Sequence, residues 1–143
     1  MKSSYQIKTA DDMEALGAEL AALIMPGAIL LLKGELGAGK TTLVRGFLRA
    51  LGHQGAVKSP TYTIVEPYEL TDVCVHHFDL YRLHDFSELE AMGFQDYLTS
   101  DAICLIEWPE LVAAHLPGEV IYCTISIEPN GRLVKLSSLR GTK

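Results

Sequence analysis

Cysteine, tryptophan and positive charge are all scarce in this chain. Its 143 residues include three Cys and one Trp, and 12 Lys and Arg stand against 18 Asp and Glu. Cys74, Cys104 and Cys123 are odd in number and far apart, with no C-x-x-C pair, which argues against zinc ligation and a disulfide framework. Each lies in an apolar run (Val73-Cys74-Val75, Ile103-Cys104-Leu105, Tyr122-Cys123-Thr124), the pattern of strand-core thiols in a reducing compartment. A net charge of −6 and a pI near 5.3 argue against broad non-specific binding to nucleic acid, which depends on phosphate neutralisation by Lys and Arg. Work on RNA through a partner stays open. No apolar stretch approaches the roughly eighteen residues of a membrane helix, and Met1-Lys2-Ser3-Ser4-Tyr5-Gln6 lacks the apolar core of a secretory signal. The expectation is a cytoplasmic protein with no membrane partner.

Residues Gly34 to Thr41 spell Gly-Glu-Leu-Gly-Ala-Gly-Lys-Thr, a complete phosphate-binding loop of the form G-x-x-x-x-G-K-[ST]. It follows the apolar run Ala28-Ile29-Leu30-Leu31-Leu32 and precedes a helix-like stretch from Thr42 to Leu51. A strand feeds a glycine turn, and the next helix aims free N–H groups and its positive dipole end at an anion. Gly34, Gly37 and Gly39 are expected to take positive φ and let the backbone approach phosphate oxygens. Lys40 would supply charge to the β- and γ-phosphates, and the Thr41 hydroxyl would hold Mg²⁺.

No repeat, low-complexity tract or long linker interrupts residues 1–143, so one domain is expected. Tyr5 to Lys8 reads as a short strand. Thr9 to Asp12 caps a helix carrying Met13, Leu16, Leu20 and Leu23 at helical spacing, ended by Pro26-Gly27. Beyond the loop helix, Thr61 to Tyr68 reads as extended and pairs with Val73 to Asp79 across a turn near Leu70-Thr71-Asp72. Phe86 to Met92 is a short helix, and Ala102 to Glu107 is an uninterrupted buried-type strand. Val120 to Ile127 and Arg132 to Leu139 flank Asn130-Gly131, a hairpin signal. The sum is an α/β chain with a mixed sheet, a parallel core and antiparallel hairpins, in a three-layer fold like that of phosphate-loop NTPases.

Binding alone needs only the loop; hydrolysis or transfer needs further acids. Glu107 and Asp79 each end an apolar strand, where open α/β sheets gather their ligands. Glu107 fits the Walker B form, while either acid could instead cap its strand in solvent. Thr61 and Thr63 lie where a segment sensing the γ-phosphate is often found, or in a plain connecting loop. Arg45, Arg49, Arg82, Arg132 and Arg140 are scattered, and sequence does not rank them as transition-state groups. The five His show no metal-binding spacing, and packing or surface roles are expected for all. His76 and His77 should point to opposite faces, and Trp108 should face away from Glu107 if the strand continues.

Four segments together are more specific than the loop: Gly34 to Thr42, Lys58-Ser59-Pro60-Thr61-Tyr62-Thr63-Ile64-Val65-Glu66-Pro67-Tyr68, His77-Phe78-Asp79-Leu80-Tyr81-Arg82-Leu83 and Ile106-Glu107-Trp108-Pro109-Glu110. In this order and spacing they resemble the TsaE (YjeE) family of small bacterial ATPases. The resemblance implies a weak Mg²⁺-dependent ATPase acting with TsaB and TsaD to form N6-threonylcarbamoyladenosine at position 37 of tRNAs that read codons beginning with adenine. Carried over, Gly37, Ala38, Gly39, Lys40, Thr41 and Thr42 hold the phosphates of ATP, with Lys40, Asp79 and Glu107 catalytic. Thr41 and Glu107 bind Mg²⁺, and Ser59 to Thr63 form a switch-like loop. Ala10 and Arg132 flank the adenine, and Trp108 is functional. Contact with tRNA would run mainly through the partners. Two other classes compete: a small-molecule kinase, disfavoured by scattered arginines and a short chain, and a nucleotide-sensing module that does not hydrolyse.

Overall fold

A computed structural model describes residues 3–140, apart from the side chains of 139 and 140, so the first two residues and the Arg140 side chain lie outside the described residues. In chain order the main elements are β1 (Ser4–Ile7), α1 (Ala10–Leu23), β2 (Ile29–Lys33), α2 (Lys40–Ala50), β3 (Val65–Glu69), β4 (Cys74–Asp79), α3 (Phe86–Ala91), β5 (Ala102–Glu107), β6 (Glu119–Glu128) and β7 (Gly131–Arg140). Short 3-10 turns occupy Phe94–Tyr97, Pro109–Leu111 and Ala113–His115.

Every residue of β2 and β5 is buried except Lys33. A strand with no solvent face belongs mid-sheet, with helices over both sides. β2 and β5 accordingly pair in parallel, Ile29 opposite Cys104 through Leu32 opposite Glu107. β4 lies parallel beyond β5, and β6 parallel beyond β2. β3 adds antiparallel to β4, while β7 and then β1 extend the other edge antiparallel, giving the order β1-β7-β6-β2-β5-β4-β3. Helices α1 and α2 cover one face over Leu30, Leu32, Val75, Ile103 and Leu105. On the other face Leu89, Phe94, Val112 and Leu116 pack on Ile29, Leu31, Phe78, Cys104 and Ile106. The expected mixed α/β architecture is therefore present.

The two helices on the first face touch backbone to backbone. A Cβ on Gly17 would stand 2.1 Å from the Leu43 carbonyl oxygen, and one on Gly46 2.0 Å from that of Glu14. Glu14 also pairs with Arg45 at 3.7 Å and Arg49 at 3.2 Å. Around the crossing Leu16, Leu20, Leu43, Val44 and Phe47 are buried, each contributing about 1.5–3 kcal/mol of transfer free energy. This contact fixes where α2 begins, and hence where the glycine loop stands.

Several local expectations are corrected. In α1 the Thr9 hydroxyl accepts from the Asp12 amide as the capping pattern predicts, but Leu23 is 49% exposed. Ile24, four residues after Leu20, turns inward instead, because the chain leaves the helix there in an extended conformation. The extended segment expected from Thr61 becomes strand only at Val65. Residues 61–63 turn, the Ile64 amide donates to the Pro60 carbonyl at 2.6 Å, and Ile64 takes φ 71°. The Asn130-Gly131 hairpin forms, but Glu128 pairs with Gly131, which leaves Pro129 and Asn130 as the turn.

Candidate active site

The C-terminal ends of β2, β4 and β5 lie side by side, and register sets Leu32 opposite Glu107 and Asp79 opposite Glu107. The glycine loop leaves β2 there and enters α2 at Lys40. Gly37 (φ 80°) and Gly39 (φ 114°) take the left-handed conformation expected of them. Gly34 does not. Its small size is needed because a Cβ would sit 2.8 Å from the Ile125 carbonyl oxygen, where β6 passes close. Gly39 precedes α2 and has no side chain to cap it, so no capping side chain competes for the first-turn N–H groups.

Four polar side chains are buried among the described residues: Lys40, His77, Asp79 and Glu107. All four meet at this sheet edge. His77, Asp79, Leu105 and Glu107 share one face because side chains alternate along a strand. That face carries α2, so Lys40 reaches over the two acids.

Lys40 is already engaged. Its ammonium donates to the Gly34 carbonyl at 2.5 Å and lies 3.6 Å from the centre of the Trp108 ring. Burial lowers its pKa below the ordinary 10.5, opposed by the negative charges of Glu107, Asp79 and Glu110. Trp108 does not continue β5 away from the acid. It takes a left-handed conformation (φ 56°, ψ 61°), which ends the strand and folds the indole back across the loop, with the Tyr81 ring 4.9 Å away.

Asp79 is tied to the segment expected to act as a switch. Ser59 Oγ donates to Asp79 Oδ2 at 2.8 Å and Thr61 Oγ1 donates to the same atom at 3.1 Å, while the Tyr81 amide donates to Oδ1 at 3.0 Å. Thr63 makes no such bond and lies instead in a second groove with Tyr62 and Glu66. Glu107 Oε2 meets His77 Nε2 at 2.6 Å in full burial. An open pocket of about 440 Å³ is lined by Leu36, Lys40, Thr41, Asp79, Glu107 and Trp108 among others.

A neighbouring pocket of about 210 Å³ shares Gly37, Gly39 and Thr42 with the first and adds Ala10, Ala38 and Arg132. Arg132 donates to the Ala38 carbonyl at 3.1 Å and the Gly37 carbonyl at 3.2 Å, bracing the loop. The loop thus stands between a chamber carrying Lys40, Asp79 and Glu107 and a smaller recess carrying Ala10 and Arg132. The other arginines with described side chains stand apart: Arg45 and Arg49 pair with Glu14, and Arg82 lies 4.9 Å over the Tyr62 ring.

A hard divalent cation suits the donor set. Two buried carboxyl side chains, Asp79 and Glu107, stand with one lysine, Lys40, and all three line the larger chamber. No group of three or more His, Cys, Asp or Glu among the described residues could hold a metal ion. Mg²⁺ is commonly held by one or two protein oxygens together with phosphate oxygens, and Thr41 and Glu107 both line the chamber.

Reading the sequence missed the His77–Glu107 contact and the anchoring of Ser59 and Thr61 on Asp79. One signal was available for the histidine: it precedes Asp79 by two positions on a strand, which puts it on the same face. The hydroxyl contacts depend on how a loop folds back, and no periodicity records that.

Residues 7–134 match the family model described as threonylcarbamoyl adenosine biosynthesis protein TsaE. The chain is 53% identical over 105 residues to the tRNA threonylcarbamoyladenosine biosynthesis protein TsaE of Haemophilus influenzae, an alignment covering 73% of this chain and 66%, just under two thirds, of that relative. The protein of the same name from Bacillus subtilis is 38% identical over 115 residues, covering 80% of this chain and 72% of its own. The crystal structure of YdiB from Bacillus subtilis superposes with a TM-score of 0.80 at 29% identity, over 96% of this chain and 85% of that one. With its fold, its glycine loop and nearly its whole length accounted for by these matches, the chain belongs to the TsaE family.

Proposed function

We propose that this chain is one domain that hydrolyses ATP with Mg²⁺ and supports formation of the threonylcarbamoyl group on adenosine 37 of tRNAs reading codons that begin with adenine. It acts in the cytoplasm with TsaB and TsaD, and meets tRNA through them. The observation carrying the reading is the convergence of Lys40, Asp79 and Glu107 at the mouth of a left-handed glycine loop, in a chamber that shares Gly37, Gly39 and Thr42 with the recess at Ala10 and Arg132. Relatives bearing the threonylcarbamoyladenosine name support the wider role.

On this reading the amides of 37–42 and the Lys40 ammonium receive the polyphosphate. Lys40 must first leave the Gly34 carbonyl and slide from beneath Trp108, exchanging those contacts for charge-assisted bonds to phosphate. Thr41 and Glu107 would hold Mg²⁺, which when bound would supply positive charge to the phosphates. Asp79 links the γ-phosphate end of the chamber to the 59–63 segment through Ser59 and Thr61, so a change at the phosphate loosens or tightens that segment. Among the described residues the arginines form no lid of the kind an acceptor kinase uses, which favours water as the nucleophile.

The test is ATP hydrolysis by purified protein with and without TsaB and TsaD. A large increase on mixing is expected. Phosphorylation of a small-molecule acceptor without either partner would replace this reading with the kinase, and full support of tRNA modification by a Glu107→Ala protein that no longer hydrolyses would replace it with the sensor.

A further inference from the structure

We propose that His77 is a positioning residue for Glu107: its Nε2–H holds one carboxylate oxygen so that the other is presented to the metal. The inference rests on the reading above, in which Thr41 and Glu107 hold Mg²⁺. His77 has no exposed surface, and its Nε2 lies 2.6 Å from Glu107 Oε2. Its Nδ1 is buried with no hydrogen-bond partner among the described residues. A carboxylate oxygen accepts, so Nε2 carries the proton in this contact and donates to Oε2 in a dry setting.

Geometry gives this bond a direction. His77 lies opposite Leu105 in the parallel β4–β5 ladder, one step below the Asp79–Glu107 pair on the same face. Its ring grips Glu107 from the protein side, and Oε1 has no hydrogen bond from any described residue while Glu107 lines the open chamber. A carboxylate free to rotate could turn both oxygens toward the Lys40 ammonium, or spread them over two orientations. A carboxylate held at Oε2 offers Oε1 alone, in one place. Outer partners of this kind typically tune metal affinity by about 10–100-fold. A residue kept only to fill space would gain from being Leu or Phe, since neither leaves a buried nitrogen unpaired.

The test compares His77→Leu, His77→Asn and His77→Gln with the wild type. Gln can carry an N–H donor to the place of Nε2, while the shorter Asn falls short and Leu donates nothing. Each folded protein is titrated with Mn²⁺, read by electron paramagnetic resonance, in the presence of a non-hydrolysable ATP analogue. Affinity for the analogue without metal is measured separately. His77→Leu and His77→Asn should weaken Mn²⁺ by about 10–100-fold, His77→Gln should stay near the wild type, and metal-free analogue affinity should hold in all four. Wild-type Mn²⁺ affinity in the Asn or Leu protein overturns the proposal, as does a Gln protein as weak as Leu. If the Leu variant does not fold, the Asn–Gln pair decides; a Gln variant that does not fold also overturns it, because the ring is then needed for packing. Failure of the wild type itself to take Mn²⁺ with the analogue removes the Mg²⁺–nucleotide reading, and this inference with it.

Discussion

Replacing Gly46 by alanine sets two physical effects against each other with opposite signs. In an exposed helix interior the change stabilises by about 1 kcal/mol, because Ala is the better helix former. Here the new Cβ would lie 2.0 Å from the Glu14 carbonyl oxygen and 2.6 Å from its carbon and Cα. Ordinary contact begins near 3.4 Å, so α1 and α2 must part by about 1.4 Å, and no flexible side chain is there to yield. A gap of about 0.5–1 Å already forfeits a quarter to a half of each contact's attraction. The loss is felt along Leu16, Leu20, Leu43 and Phe47, all buried at this crossing. Overpacking typically costs about 1–3 kcal/mol and occasionally more; with backbone meeting backbone the cost lies at the top of that range and above it, about 3–5 kcal/mol, so a net destabilisation of about 2–4 kcal/mol remains after the propensity gain. For a chain near this length that lowers Tm by roughly 6–16 °C. Far-UV circular dichroism melts of the two proteins measure it directly. A melting temperature equal to or above the wild type would mean that propensity wins and the tight crossing carries no energetic weight.

Further outcomes are open to measurement. Asp79→Ala and Glu107→Ala should bind nucleotide yet lose turnover by about 10²-fold, because each removes charge organised around the phosphates; fluorescent-nucleotide binding beside a hydrolysis assay checks this, and unchanged turnover in both would refute the assignment. Burial lowers the Lys40 pKa below 10.5, so the unfolded chain keeps that proton to higher pH than the folded one. Between the folded pKa and 10.5 the nucleotide-free protein therefore gains stability as pH rises. Lys40→Met should lose that component while also losing polyphosphate binding, and a wild-type minus variant difference flat across alkaline urea titrations would contradict it. Burial pushes the Cys104 and Cys123 thiols up to about 12, whereas half-buried Cys74 is raised less far, by burial and by the nearby Glu69 and Asp101 charges. Iodoacetamide at mildly alkaline pH should accordingly label Cys74 alone and slowly, with all three labelled after denaturation; mass spectrometry showing rapid native labelling of two would overturn this.

Local and periodic signals made much of this molecule legible without coordinates. The run Ile29 to Leu32 and the run Ala102 to Ile106 read as buried strands because they are apolar throughout, and both are buried along their length. The glycines of 34–41 announced a turn between strand and helix. Both acids at strand ends followed from the rule that parallel strands bring their C-terminal ends to one edge. The rest depended on contacts between distant segments, where no period exists to be read. Trp108 lies beside Glu107 in sequence, yet it covers Lys40 because the strand stops in a left-handed residue. Gly17 and Gly46 lie inside helices, and only the crossing of α1 on α2 gives the reason no side chain stands there. Arg132 braces the loop at Gly37 and Ala38 from more than ninety residues away. The pairing of His77 with Glu107 spans thirty residues and needs the parallel register of β4 on β5. Sequence encodes which residues must be dry and which turns are allowed, because those are properties of neighbours along the chain. Which polar groups meet in the dry interior is decided by packing, because a hydrogen bond there depends on distance and direction between elements that fold independently of their order.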